Sequence, residues 1–152
     1  MKTSPYILML EDDSEDRYLT ESTFKEIGYN VRLEFLTHGA EVMKHLNQCE
    51  NDRGAVPDII LLDKNVPTGS GIEVLKELKS HPRYKTIPVV MISGSAFPNE
   101  VAESYRLGVN SYILKPSTNQ QTIKKIGTFF TYWFETVELP VVSNEEMLDR
   151  FQ

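Results

Sequence analysis

Three acids follow one another at Glu11, Asp12 and Asp13, and a fourth stands at Asp63. A hydroxyl at Ser93 and the pair Lys115-Pro116 complete a set of groups that each directly follow a short apolar run. Carboxylates gathered in one place repel, and some are forced to hold their protons. A divalent cation removes that conflict. Oxygen ligands with few carboxylates suit Mg²⁺, which keeps several of its waters. Taken one at a time, each residue has a plainer reading. Acids favour a helix N-terminus, which accounts well for Asp13. It does not account for Asp63, Ser93 and Lys115 occupying the same place after three other runs.

The elements that must position these groups are legible from the pattern. Apolar runs lie at 6–10, 31–36, 59–62, 89–92 and 112–114. The first, third and fourth hardly alternate, as strands buried on both faces read. Between and after the runs, 14–27, 40–49, 71–80, 99–107 and 119–136 have helical length. The first opens on acids and stops at Gly28, and the fourth stops at Gly108. A β-α unit repeated five times predicts an α/β fold, a parallel sheet with helices on both faces. In such folds the site lies beyond the carboxyl ends of the strands, where the acids, the hydroxyl and the lysine stand.

The chain has 152 residues, 40% hydrophobic and 25% charged, the composition of a soluble single domain with its own core. A net charge of −6 disfavours binding to DNA, RNA or a membrane surface. No run approaches the roughly 20 apolar residues that span a bilayer, and no signal peptide is visible. Cys49 is the single cysteine, so neither an internal disulfide nor a cysteine zinc site is expected. A cytoplasmic protein is the expectation. His38, His45 and His81 lack ligand spacing and read as surface residues. The stretch 48–57 reads as a polar surface loop, and 141–152 as a tail too short for a domain.

Four ordered motifs carry a resemblance to the receiver domain of bacterial two-component response regulators. They are Glu11-Asp12, Asp63-Lys64-Asn65-Val66-Pro67 with Gly71, Ser93-Gly94, and Tyr112-Ile113-Leu114-Lys115-Pro116. The resemblance implies a flavodoxin-like receiver fold, a five-stranded parallel sheet in the order 2-1-3-4-5. It implies a receiver domain over 1–140 and a C-terminal tail over 141–152, with no output domain. The segments 82–88 and 132–140 resemble, more narrowly, small stand-alone regulators that partner bacterial phytochrome histidine kinases.

The resemblance also implies roles. Asp63 would accept a phosphoryl group from a sensor histidine kinase, a phytochrome in the narrower resemblance, or from a phosphotransfer protein. Mg²⁺ would be held by Asp12, Asp63 and the backbone carbonyl of Asn65, with Glu11 holding a metal-bound water or ligating indirectly. Lys115 would bring a second positive charge, and Ser93 a hydrogen bond to the phosphoryl group. Tyr112 would fill the space that Ser93 leaves, and a cis bond before Pro116 would aim the lysine inward. Elementary chemistry agrees: a carboxylate oxygen attacks phosphorus to give an acyl phosphate, and phosphoryl transfer depends on positioning and charge neutralisation.

The rival readings are an aspartate-nucleophile phosphatase and a phosphorylation-independent adaptor. The phosphatase needs a second Asp as general acid and base where this chain has Asn65, which cannot move a proton in that role. The intact acidic site argues against the adaptor. A non-enzymic signalling protein that catalyses its own phosphorylation and slow dephosphorylation is the expectation. In the last helix, Ile123, Ile126, Phe130, Trp133 and Val137 form a stripe at 3-4 spacing. Phe129, Tyr132 and Phe134 lie off it, an aromatic excess that predicts a homodimer through the fourth helix, fifth strand and fifth helix.

Overall fold

Each apolar run becomes a strand and each segment after it a helix. The computed structural model describes residues 4–51, 55–66 and 70–141. Its elements are β1 (Tyr6–Leu10), α1 (Ser14–Ile27), β2 (Arg32–Leu36), α2 (Glu41–Asn51), β3 (Ile59–Asp63), α3 (Gly71–Ser80), β4 (Val89–Ser93), α4 (Pro98–Arg106), β5 (Ser111–Leu114) and α5 (Asn119–Phe130). A 3₁₀ turn, Tyr84–Thr86, precedes β4. Neighbouring strands are parallel, in the order β2-β1-β3-β4-β5, as the resemblance implies. Helix α2 runs to Asn51, so the start of the expected 48–57 loop is helical. The expected tail at 142–152 lies outside the described residues.

Local chemistry sets the helix ends. Asp13 caps α1, its side chain accepting from the N–H groups of Glu15 and Asp16 at 2.8 and 3.0 Å. Gly28 closes that helix in the left-handed region, at φ 90, where a side chain would be strained. Ser70 caps α3 and Thr118 caps α5 through their hydroxyls.

Side chains alternate along the buried strands and build a core on each face. Leu8, Leu10, Ile60, Leu62 and Met91 meet Val42 and Leu46 of α2 and Val74, Leu75 and Leu78 of α3. Ile7, Met9, Ile59, Leu61 and Val90 meet Phe24 of α1 and the aromatics at the chain's last helical segment.

That last segment departs from the expected stripe. After Phe130 the chain winds as a π turn over Thr131–Thr136, and the Val137 N–H donates to the Tyr132 carbonyl five residues back, at 3.1 Å. The wider turn brings Phe134 against Phe129 and Phe130, with ring centroids 6.4 and 5.1 Å apart. Phe134 is thereby buried beside Phe129 and Phe130, while Ile123 is 37% exposed and Trp133 and Val137 are half-buried. A period of 3.6 cannot anticipate a change of phase inside the helix.

Candidate functional site

The sheet register brings the strand ends level. Leu10 pairs with Leu62, Asp63 with Ile92, and Ser93 with Leu114. Glu11 lies two residues beyond Met9, Asp63 two beyond Leu61, and Lys115 two beyond Ile113. Met9, Leu61 and Ile113 belong to the α1–α5 core, so the three charged side chains continue rows on that side. Ser93 lies two beyond Met91, which belongs to the opposite core.

The charges meet closely. The Lys115 ammonium donates to Asp63 Oδ2 at 2.9 Å, to Glu11 Oε1 at 3.2 Å and to Asp16 Oδ2 at 3.1 Å. The other Asp63 oxygen, Oδ1, accepts the Asn65 N–H at 3.0 Å. Glu11 and Asp63 are buried, 1% and 4% exposed. Burial, then the hydrogen bond and charge shared with Asp63, push the Glu11 carboxyl up to about 8 against the pull of Lys115. Burial opposes the charge on Lys115, but its bonds to Asp63 and Asp16 hold it above the ordinary lysine range. The site thus carries more negative charge than one lysine balances.

The donor set fits a divalent cation. Carboxylate oxygens of Glu11, Asp12 and Asp63 lie within 4.8 Å of one another, two of the residues buried and Asp12 exposed. Hard oxygen donors of this kind, open to water on one side, suit a cation that retains waters. The Arg17 guanidinium holds the loop beneath them, donating to the Glu11 and Asp12 carbonyls at 3.0 and 2.8 Å.

Ser93 is not bonded to this cluster. Its Oγ accepts the Ser95 N–H at 3.2 Å, and it is fully buried. The Tyr112 hydroxyl donates to the Ser95 carbonyl at 2.7 Å. The Ser95 hydroxyl donates to Glu100 Oε2 at 2.9 Å, and the Lys64 ammonium stands 3.1 Å from the same oxygen. The Ser95 hydroxyl and the Lys64 ammonium hold the Glu100 carboxyl below the usual carboxylate range.

One expectation is corrected. The Lys115–Pro116 bond is trans, as is every peptide bond among the described residues. The lysine reaches Asp63 from a trans backbone because its place two beyond Ile113 already directs it to that side. Its N–H is held by the Ser93 carbonyl at 2.7 Å. Pro67 of the second motif lies outside the described residues.

Gly71 allows α3 to start directly against the end of β3. A Cβ there would lie 2.7 Å from the Asp63 carbonyl oxygen and 2.9 Å from Lys64 Cα. Asp16, Arg17, Ser95 and Glu100 are not singled out by the sequence: Asp16 reads as part of an acidic helix start, and the other three lie off the strand ends. Lys64 stands in the motif after β3, but the sequence gives its side chain no role. The histidines have fuller structural roles than a surface reading gives. His45 Nε2 lies 2.8 Å from the Tyr6 hydroxyl, and His81 Nδ1 accepts the N–H groups of Arg83 and Tyr84.

The profile of the response regulator receiver domain matches residues 7–127, and the chain belongs to that family. It is 36% identical over 135 residues to response regulator Rcp1 of Synechocystis, spanning 88% of this chain and 92% of that protein. The fold matches the crystal structure of the phosphorylated cyanobacterial phytochrome response regulator RcpA with a TM-score of 0.82 and 34% identity, over 90% of this chain and 99% of that one. It matches the Mn²⁺-bound form of Rcp1 with a TM-score of 0.80 and 36% identity, again over 90% and 99%. This is a signalling protein of the two-component class. Among the described residues, no helix is long and apolar enough to cross a membrane.

Proposed function

We propose that the chain is a phospho-acceptor switch in which Asp63 takes a phosphoryl group from the phosphohistidine of a sensor kinase or phosphotransfer protein. The observation that carries this reading is the Asp63 carboxylate itself. It is buried, held at one oxygen by the Asn65 N–H and at the other by the Lys115 ammonium. An Asp63 oxygen attacks phosphorus, a P–O bond forms, and the P–N bond to the donor imidazole breaks. Lys115 neutralises charge on the phosphoryl oxygens, and Ser93 turns from Ser95 to donate a hydrogen bond to them. Tyr112 fills the space that Ser93 leaves. A bound Mg²⁺ supplies charge neutralisation on the phosphoryl oxygens, and Asp12, Asp63 and the Asn65 carbonyl are the groups that would hold it. The chain's part in its own phosphorylation and slow dephosphorylation rests on the same groups.

Similarity to RcpA and Rcp1 supports a phytochrome-type histidine kinase as the partner. Self-association through α4, β5 and α5 belongs to the same reading. Tyr105, Leu114 and Tyr132, 49%, 43% and 51% exposed, supply that face. Phe129 and Phe134 are spent on the core. The acidic net charge supports output by protein contacts in the cytoplasm rather than on DNA.

Incubation with acetyl phosphate tests the reading. Mg²⁺ should permit, and a chelator abolish, formation of a hydroxylamine-labile phosphoprotein. Equal uptake with the chelator would contradict a cation-assisted acyl phosphate. Light scattering with and without phosphorylation reports on the dimer, and a monomer in both states would remove it.

A further inference from the structure

Asp16 is the third carboxylate on the Lys115 ammonium, its Oδ2 3.1 Å from Nζ. It differs from the other two. Glu11 and Asp63 belong to the oxygen group that fits a divalent cation, and Asp16 does not. Asp63 also gives one oxygen to the phosphoryl group when it acts as acceptor. The grip of Glu11 and Asp63 on the lysine is therefore shared with the chemistry. Of the three partners, Asp16 is the one whose carboxylate serves the lysine alone.

Asp16 also stands on a fixed frame. Its N–H donates to the Asp13 side chain that caps α1, at 3.0 Å. The next residue, Arg17, ties the same turn to the Glu11 and Asp12 carbonyls. Further along α1, Phe24 meets Phe130 of α5 edge to face, with ring centroids 6.3 Å apart. On the other side, the Lys115 N–H is held by the Ser93 carbonyl at 2.7 Å. Between these fixed backbones the ammonium rides on a flexible four-carbon stem. An anchor on that stem narrows where the charge can sit, and positioning of charge is what phosphoryl transfer depends on.

We infer that Asp16 is a positioning residue for phosphoryl transfer, anchoring the Lys115 ammonium beside Asp63 through a contact that neither the cation nor the phosphoryl group takes over. The inference rests on the phospho-acceptor reading. Asp16 touches no reacting atom and acts only through the lysine. The pair is partly open, its side chains 28% and 43% exposed. Water screens it, and its loss changes a rate by roughly two- to fivefold.

The test times phosphorylation by saturating acetyl phosphate and Mg²⁺, read by intact mass, in the wild type, Asp16→Ala, Asp16→Glu, Lys115→Met and the Asp16→Ala, Lys115→Met double variant. Asp16→Ala should slow uptake roughly two- to fivefold, and Asp16→Glu should recover part of the rate. Asp16→Ala should cost nothing further once Lys115 is replaced, because the two act as a unit. The ¹⁵Nζ resonance of Lys115, assigned by its disappearance in Lys115→Met, should move in Asp16→Ala while circular dichroism stays that of the wild type. Equal slowing in both backgrounds would mean that Asp16 acts by its charge on the cation and would overturn the anchor. An unchanged rate in Asp16→Ala, or an unmoved Lys115 resonance, would overturn it as well. The resonance decides alone if Lys115→Met takes up too little phosphate to time. Failure of the wild type to take up phosphate, or equal uptake by folded Asp63→Asn, would instead overturn the phospho-acceptor reading.

Discussion

Lys115 and Asp63 are 52 residues apart in sequence, and the ammonium of one lies 2.9 Å from the carboxylate of the other. Two parallel strands separated by β4 deliver them to the same side of the sheet. The lysine also holds Glu11 and Asp16, so one cation restrains three carboxylates.

Replacing that cation should expose the repulsion. Lys115→Met leaves two buried carboxylates without a cation beside them, a change that destabilises by up to about 3 kcal/mol at a partly open site. Urea unfolding without divalent cations should show the loss, and Mg²⁺ should recover part of it. Equal stability of variant and wild type without cations would show that the ion pairs do not restrain the acids.

Gly71→Ala tests how tightly α3 is seated on the acceptor strand. The new methyl group would meet backbone atoms of Asp63 and Lys64 at 2.7 and 2.9 Å, and backbone cannot swing aside. Overpacking of this kind costs about 1–3 kcal/mol, and the displaced Asp63 should take up phosphoryl groups more slowly. Wild-type stability by urea titration would contradict the close approach.

The π turn makes a contrast between neighbours. Phe134→Ala should cost about 3–5 kcal/mol, as a buried phenylalanine does. Tyr132→Ala, at a 51% exposed position, should stay within about 0.5 kcal/mol. The reverse order in thermal or urea unfolding would contradict the burial of Phe134 that the π turn produces.

Much of this site is legible in the sequence because the short, barely alternating apolar runs and their ends lie in the chain itself. Glu11, Asp63 and Lys115 each close an apolar run, and a parallel sheet has one carboxyl edge to bring them to. What escapes reading depends on the reach of side chains between elements. Asp16 looks like a helix-start acid until α1 is packed beside Lys115. Glu100 and Lys64 belong to segments with no periodic link. The trans bond before Pro116 is unreadable because proline permits both isomers. The placing of Phe134 turns on a local change of helical winding that leaves the composition unchanged.

Acid should weaken the β2 edge through Glu34. Burial opposes the charge on this carboxylate, but hydrogen bonds from the Tyr6 hydroxyl and the Arg32 guanidinium, with His45 beside it, hold its pKa below the ordinary 4.5. A depressed folded-state pKa gives stability that is fully present above the unfolded value and lost as pH falls through the folded one. Stability should therefore decline below about pH 4.5, and the decline should be shallower in Glu34→Gln. Identical pH profiles of the two proteins by chemical denaturation would show that Glu34 does not contribute.

The most direct measurement compares wild-type protein with Asp63→Asn after incubation with acetyl phosphate and Mg²⁺, by intact mass before and after hydroxylamine. The wild type should gain one phosphoryl group that hydroxylamine removes, and Asp63→Asn, with its fold intact by circular dichroism, should gain none. Equal hydroxylamine-labile uptake by the folded variant would contradict Asp63 as the acceptor.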